Sequence, residues 1–266
     1  MTDLKTNDLK SIAQFRLDFD RFSFRVALVC IGIALFMVFL DAFVNYNELS
    51  DIGAIQRLCN ITREDSLASW YGTTLTFMVG LTLWLIALIL IKTHAPKKRR
   101  TGWIGLAVFF TYMAIDDGAM IHERLGTAFE EISGEGSKII GLFPSYHWQQ
   151  LFIPLFLVLG FYFLFFLKSE IKQKHLRRLL IIALICVVTA IAIDFFEGLE
   201  PDHRLNLHSW LEDVLGLDSE PVLHFSKSIE EFIEMLGMTL FWVVFLRYLG
   251  NITQKGLMLT SVKEES

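Results

Sequence analysis

The chain has 266 residues, 53% of them hydrophobic and only 20% charged, with 24 Phe against 5 Pro and a mean hydropathy of +0.48. Apolar runs of about 20 residues recur, each long enough to cross a hydrocarbon layer ~30 Å thick. A secreted disulfide scaffold, a nucleic-acid-binding domain and a disordered chain are thereby excluded, and the formal net charge of −5 hides an uneven distribution.

After an N-terminal arm (1–23), the predicted spans in chain order are Phe24–Asn45, Trp70–Ile91, Gly102–His122, Gln149–Leu167, Leu179–Glu197 and Ile229–Leu249, before a tail (250–266). The expected fold class is all-α, a polytopic membrane bundle of six transmembrane helices occupying residues 24–249. Leu207–Leu215, between the last two spans, reads as a short amphipathic helix on the membrane surface. Cys30, Cys59 and Cys186 are odd in number and widely spaced, which gives neither a disulfide framework nor a thiolate metal site. No P-loop, nucleophile elbow or dinucleotide fingerprint is present.

Orientation follows from Lys and Arg. Eighteen fall in the N-terminal segment through Arg25, in the loops at 92–100 and 168–178, and from Arg247 to the end; the alternate loops hold six, Arg57, Arg63, Arg124, Lys138, Arg204 and Lys227. The positive-inside rule then puts both termini in the cytoplasm, with the basic loops contacting anionic lipid. Acids are biased the other way, with seven inside and 22 outside or at the outer ends of spans.

Depth along the spans is the informative measure. Arg25 to Asp41, Arg100 to Asp116, Arg178 to Asp194 and Glu231 to Arg247 are each 16 residues. At 1.5 Å per residue, four helices carry an acid ~24 Å above the inner boundary. Thr76 lies at the matching distance on the second span, and Phe152 on the fourth offers nothing polar. On a continuous third span Asp116 and Glu123 share a face, His122 lies a quarter to a third of a turn away, and Asp117 points elsewhere. Asp194 and Glu197 are i, i+3 neighbours. Glu230, Glu231 and Glu234 gather on one side of the sixth span, with His224 above Glu231 if that helix starts early.

Nine acids at this level face Arg124 and Lys227 as nearby permanent cations. A charged acid within a span costs roughly 2.5–3.5 kcal/mol, and crowded carboxylates cannot all ionise unpaired. Bound divalent metal (Fe, Mn, Zn, Mg or Ca) or retained protons must balance them. The expected metal ligands are Asp116, His122, Asp194, Glu197 and Glu231, with Glu123 or Glu234 as general base. Asp41, Asp117, Glu230, His147 and His224 are supporting candidates. The Glu-x-x-His spacing of di-iron bundles is absent.

The strings Asp116-Asp117-Gly-Ala-Met-Ile-His122-Glu123 and Glu230-Glu231-Phe-Ile-Glu234-Met-Leu-Gly237 resemble those of a group of bacterial six-span membrane proteins with Asp-Glu-x4-His-Glu and Glu-Glu-x2-Glu-x2-Gly motifs. Asp117 stands where that group usually has Glu. The resemblance implies a bacterial cytoplasmic membrane and marks the same acids as a set, without supplying a reaction. A looser likeness, to the zinc hydrolases of the ceramidase and progestin-receptor-like superfamily, is analogy only.

The first expected function is hydrolytic or oxidative chemistry on a lipid or amphiphile at the outer leaflet, with membrane lipids as partners and no nucleic acid. A cation or proton path through the carboxylates is the alternative, opposed by the lack of ionisable residues in the inner halves of the spans. A divalent-cation-binding sensor or assembly subunit without turnover is the third.

Overall fold

A computed structural model of the chain describes residues 15–16, 18–133, 144–200, 203–253 and 258–259; residues 1–14, Lys138 and most of the tail lie outside them. Every apolar run but the third sits within one helix or its direct prolongation. Helix α1 is Phe19–Leu40, prolonged by a π-helical segment at Asp41–Tyr46; α2 is Gly53–Cys59, α3 Leu67–Lys92, α4 Lys97–Ala119 and α5 Ile121–Ser133. Then follow α6 (His147–Glu170), α7 (Lys174–Glu197), α8 (Leu207–Leu215) and α9 (Ser219–Ile252). Among the described residues, five helices are long and apolar enough to cross a membrane, or six if the bent pair α4–α5 counts as one span.

Starts follow local capping chemistry. The Asp18 carboxylate accepts from Asp20 N (3.1 Å) and Arg21 N (3.3 Å) ahead of α1. Ser66 Oγ accepts from Ser69 N ahead of α3 (3.2 Å), and Asn206 Oδ1 accepts from Ser209 N ahead of α8 (2.9 Å). Each satisfies a helix N–H that has no intrahelical partner.

The third predicted span is not continuous. Helix α4 ends at Ala119, Met120 adopts a left-handed backbone (φ 51°), and α5 leaves at 69° to α4. A left-handed non-glycine residue costs roughly 1–2 kcal/mol, so something must hold the break; Asp116 does, as described below.

Helix α9 is the axis of the fold, packed against α1, α3 and α7, and α3 also packs closely on α4. Gly237 makes one approach possible, since a Cβ there would stand 3.1 Å from Cys186 Cβ and 3.2 Å from Val187 on α7. Side chains facing away from the axis are apolar and open: Val158 is 69% and Phe165 67% exposed. Such large apolar surfaces on most helices fit a lipid surround rather than water.

The basic end of the bundle is locked. Glu170 Oε2 accepts from Arg99 Nε (2.6 Å), Tyr248 OH (2.6 Å) and Trp103 Nε1 (3.2 Å), tying α4, α6 and α9. Trp103, fully buried, stacks on Tyr248 at 4.4 Å between centroids. Phe110, Phe241 and Phe245 continue this aromatic packing toward the middle. No Asp, Glu, Lys, Arg or His occurs in 26–40, 67–91, 101–115, 148–167, 179–193 or 235–246, so the interior between the two ends is without ionisable charge.

Replacing Glu170 with Ala leaves three donors short of their shared acceptor. The expected result is a loss of about 1–3 kcal/mol, read as earlier unfolding in a dodecyl sulfate titration. An unchanged midpoint would show that the clamp contributes nothing to stability.

Candidate functional site

The acids gather at the other end of the bundle, in three groups. The first is a structural tie. Asp41 is 1% exposed, and its Oδ2 accepts from His224 Nε2 (2.9 Å) and Ser228 Oγ (3.0 Å). Its Oδ1 accepts from Asn45 Nδ2 (3.0 Å) and Ile61 N (3.2 Å). Helix α9 does start early, at Ser219, yet His224 turns to Asp41 instead of standing over Glu231, and it stacks on Tyr46 (5.0 Å). A carboxylate with four donors is paired and solvated by protein, so Asp41 and His224 join α1 to α9 and stand apart from the other acids.

The second group forms at the helix break. Asp116, also 1% exposed, accepts from His122 N on Oδ1 (2.9 Å) and from His122 Nδ1 on Oδ2 (2.8 Å). One carboxylate thus caps the first turn of α5 and fixes the imidazole. The shared face expected for Asp116 and Glu123 does not exist, because the chain bends between them; Glu123 lies exposed in the first turn of α5. Trp148 packs edge-on to His122 at 4.7 Å. That contact depends on Gly126, where a Cβ would stand 2.7 Å from Trp148 N. Asp117, expected to point elsewhere, hydrogen-bonds to Thr76 on α3 and lies in the field of Asp116, His122 and Glu64. Glu234, from α9, faces Asp117, Glu64, His122 and Asp194, while Glu231 faces Glu234, Glu64, Glu230 and Lys227.

The third group joins α6, α7 and α9. Gln149, fully buried, donates through Nε2 to Asp194 Oδ2 (2.8 Å). Glu197 Oε1 accepts from Lys227 Nζ (3.2 Å) and Tyr146 OH (3.3 Å). Glu230 lies in the field of Asp194 and Glu197. Burial, then the negative charge of Glu197, pushes the Tyr146 phenol up to about 12. Among the described residues, Gln149 Oε1, Glu197 Oε2 and Glu230 Oε2 are buried oxygens without a hydrogen-bond donor. His147 is elsewhere, its Nδ1 3.3 Å from Glu130 Oε2 on α5.

Two contributors lay outside the expected set. Gln149 supplies the polar group that the fourth span lacked at Phe152; its place three residues earlier, one helical turn, was the available signal. Glu64, in the loop before α3, reaches the second group from a segment that no span-based reading inspects. Burial and the charge of Glu123 hold its carboxyl above the usual range. Its neighbour Asp65 is held down at about 2 by Arg57 and Arg63. These loop residues, with Thr62 and Met120, line an open bowl of about 420 Å³ at the mouth of the site.

Residues 26–249 match the family described as Domain of unknown function (DUF8692). The chain belongs to that family. The match takes in every helix that carries the three groups, from α1 to α9. No curated protein and no solved structure matches. Among the described residues, no three His, Cys, Asp or Glu side chains converge closely enough to hold a metal ion as they stand.

The raised carboxyl of Glu64 carries a signed consequence. The folded chain keeps a proton that the unfolded chain releases near pH 4. Stability is therefore greatest below that value and falls as pH rises toward the raised folded value. Glu64→Gln removes the loss, so the variant is expected to melt higher than the parent at pH 7 and level with it at pH 4. A variant that melts lower at pH 7 would show the carboxylate to be paired favourably.

Proposed function

We propose that this integral membrane protein uses its acidic end as a cation-dependent site for chemistry on a lipid or amphiphile. The observation that carries the reading is the Asp116–His122 pair. A buried carboxylate bound to imidazole Nδ1 fixes the ring's tautomer and direction, leaving Nε2 as the nitrogen offered to a metal or to a proton. Asp117, Glu234 and Glu64 lie within electrostatic reach of that histidine, a crowding of carboxyls that a bound cation or retained protons must balance. Such an arrangement favours a divalent ion held by one imidazole and two or more carboxylates.

In this reading Asp116 is the positioning partner of His122 rather than a ligand, since both its oxygens are engaged. His122, Glu234 and Asp117 are the candidate ligands, and their side chains would have to rearrange to meet at one ion. A bound ion would activate water or polarise a carbonyl, and Glu231 or Glu123 would hold the proton that is released. The expected metal is Fe, Mn, Zn, Mg or Ca, and the expected setting is the outer leaflet of a bacterial cytoplasmic membrane with both termini inside.

Translocation is the weaker reading because the aromatic packing around Trp103, Phe110 and Phe245 and the Glu170 clamp occupy the basic half. A carrier needs access from both sides of its site.

Metal analysis by mass spectrometry on detergent-purified protein tests the proposal, beside His122→Gln and a Glu231→Gln, Glu234→Gln double variant. One or two equivalents of a divalent metal, lost in both variants, are expected. A parent protein without stoichiometric metal, even after incubation with each candidate ion, would overturn the reading.

A further inference from the structure

Two cavities follow one another along α3 and α4. The first is the bowl of about 420 Å³ at the mouth of the site, whose lining includes Arg57, Arg63 and Met120. The second is a groove of about 260 Å³, lined by Thr73, Thr74 and Phe77 of α3 and by Thr111, Ala114 and Ile115 of α4. Phe77 is 47% and Ile115 55% exposed, so the groove opens onto the apolar surface that fits a lipid surround. Toward the basic end it is closed. There Trp84 Nε1 donates to Thr111 Oγ1 (3.0 Å), and a Cβ on Gly80 would stand 3.3 Å from the same oxygen. Toward the acidic end, the exposed α4 residues between Ile115 and Met120 are only Gly118 and Ala119. No large exposed side chain of α4 therefore separates groove from bowl, and the five residues between their linings rise about 7 Å.

Each cavity specifies part of an occupant. A mostly apolar groove on the lipid side of two spans is filled by hydrocarbon, held by dispersion contacts. The bowl presents two guanidiniums instead. Asp65 accepts from Arg63 Nε on Oδ1 (2.9 Å) and from Arg57 Nε on Oδ2 (2.6 Å), and Arg57 Nη2 bonds to the same Oδ2. One carboxylate thus fixes both planar forks while taking three of their ten N–H bonds. Two positive charges held on one negative, with donors to spare, match the oxygens of a phosphate. Glu64, the other acid of the bowl, is held above the usual carboxyl range by burial and Glu123, so it opposes an anion less than an ordinary glutamate would.

We propose that the α3–α4 groove and the Arg57–Arg63 bowl together seat a phosphate-bearing membrane lipid, its hydrocarbon chain in the groove and its phosphate at the guanidiniums. Met120 is two residues before His122, which sets the head beside the candidate ligands. The proposal deepens the reading of the acidic end as a site for amphiphile chemistry and rests on it for the reaction. It adds the substrate class and the side of approach, while binding itself requires no metal.

The test is thermal melting of the full-length protein at pH 7 in neutral detergent with a metal chelator. Dodecyl phosphate, dodecanol and inorganic phosphate are compared on the parent, Arg63→Gln, Thr74→Trp and His122→Gln. Arg63→Gln leaves the Arg57–Asp65 pair in place, and Thr74→Trp puts a ring into the groove from its lipid side. Dodecyl phosphate is expected to raise the parent's midpoint by about 2–4 °C, whereas dodecanol and inorganic phosphate leave it unchanged. That shift is expected to fall by half or more in Arg63→Gln and in Thr74→Trp and to persist in His122→Gln. No shift with dodecyl phosphate, an equal shift with dodecanol or with inorganic phosphate, or a shift that stays above half in either of the first two variants would overturn the proposal. A parent that binds no metal yet shows the full pattern would overturn the metal reading alone; one that binds metal without the pattern would overturn the lipid seat alone.

Discussion

Asp116 sits where a long apolar helix must stop. Its Oδ1 takes the N–H of His122 and its Oδ2 takes the imidazole, so one carboxylate both holds the break at Met120 and aims the only histidine of the second acid group. The left-handed turn would be unfavourable without that bond, and the imidazole would lose the partner that fixes its Nδ1. A helix continuing straight would carry His122 and Glu123 away from Trp148, and the contact of α5 with α6 at Gly126 would be lost. The geometry of the acidic end therefore depends on this short-range pair.

Around it, the surroundings exclude water from most of the acids while leaving one side open. Lipid-facing side chains cover the outside of the helices, and the Trp103–Tyr248 stack and Glu170 clamp fill the basic half. Charges in such a medium interact more strongly than in water, so crowded carboxyls with one lysine among them favour a bound cation or retained protons. The other two groups differ in composition: one contains an oriented imidazole among carboxyls, the other carboxyls with the Gln149 amide and the Lys227 ammonium. The tie of Asp41 to His224 and Ser228 contributes nothing to either and holds α1 against α9.

Much of this was legible in the sequence. Hydropathy located all six helices that contain apolar runs, and the repeated spacing of 16 residues put Asp41, Asp116, Asp194 and Glu231 at the same end of the bundle. Depth, however, says nothing of direction. Asp41 and Asp194 share a level, yet Asp41 is spent on four donors while Asp194 meets Gln149, because the partners come from distant parts of the chain. The break at Met120 was hidden for a different reason: Gly102–His122 is apolar enough to read as one helix, and helical periodicity assigns faces only while the helix continues. Glu64 was missed because it precedes its span, and Gln149 because polarity was sought at Phe152 alone.

His122 is fixed by Asp116, and its tautomer is open to direct observation. In detergent-purified protein carrying ring-¹⁵N histidine, nuclear magnetic resonance reads which nitrogen of each imidazole holds the proton. His122, assigned by its loss in His122→Gln, is expected to be protonated at Nδ1, with Nε2 alone responding to an added divalent ion. In Asp116→Asn that tautomer preference and response are expected to disappear. A His122 signal that averages both tautomers in the parent protein, or one unaffected by Asp116→Asn, would contradict the account.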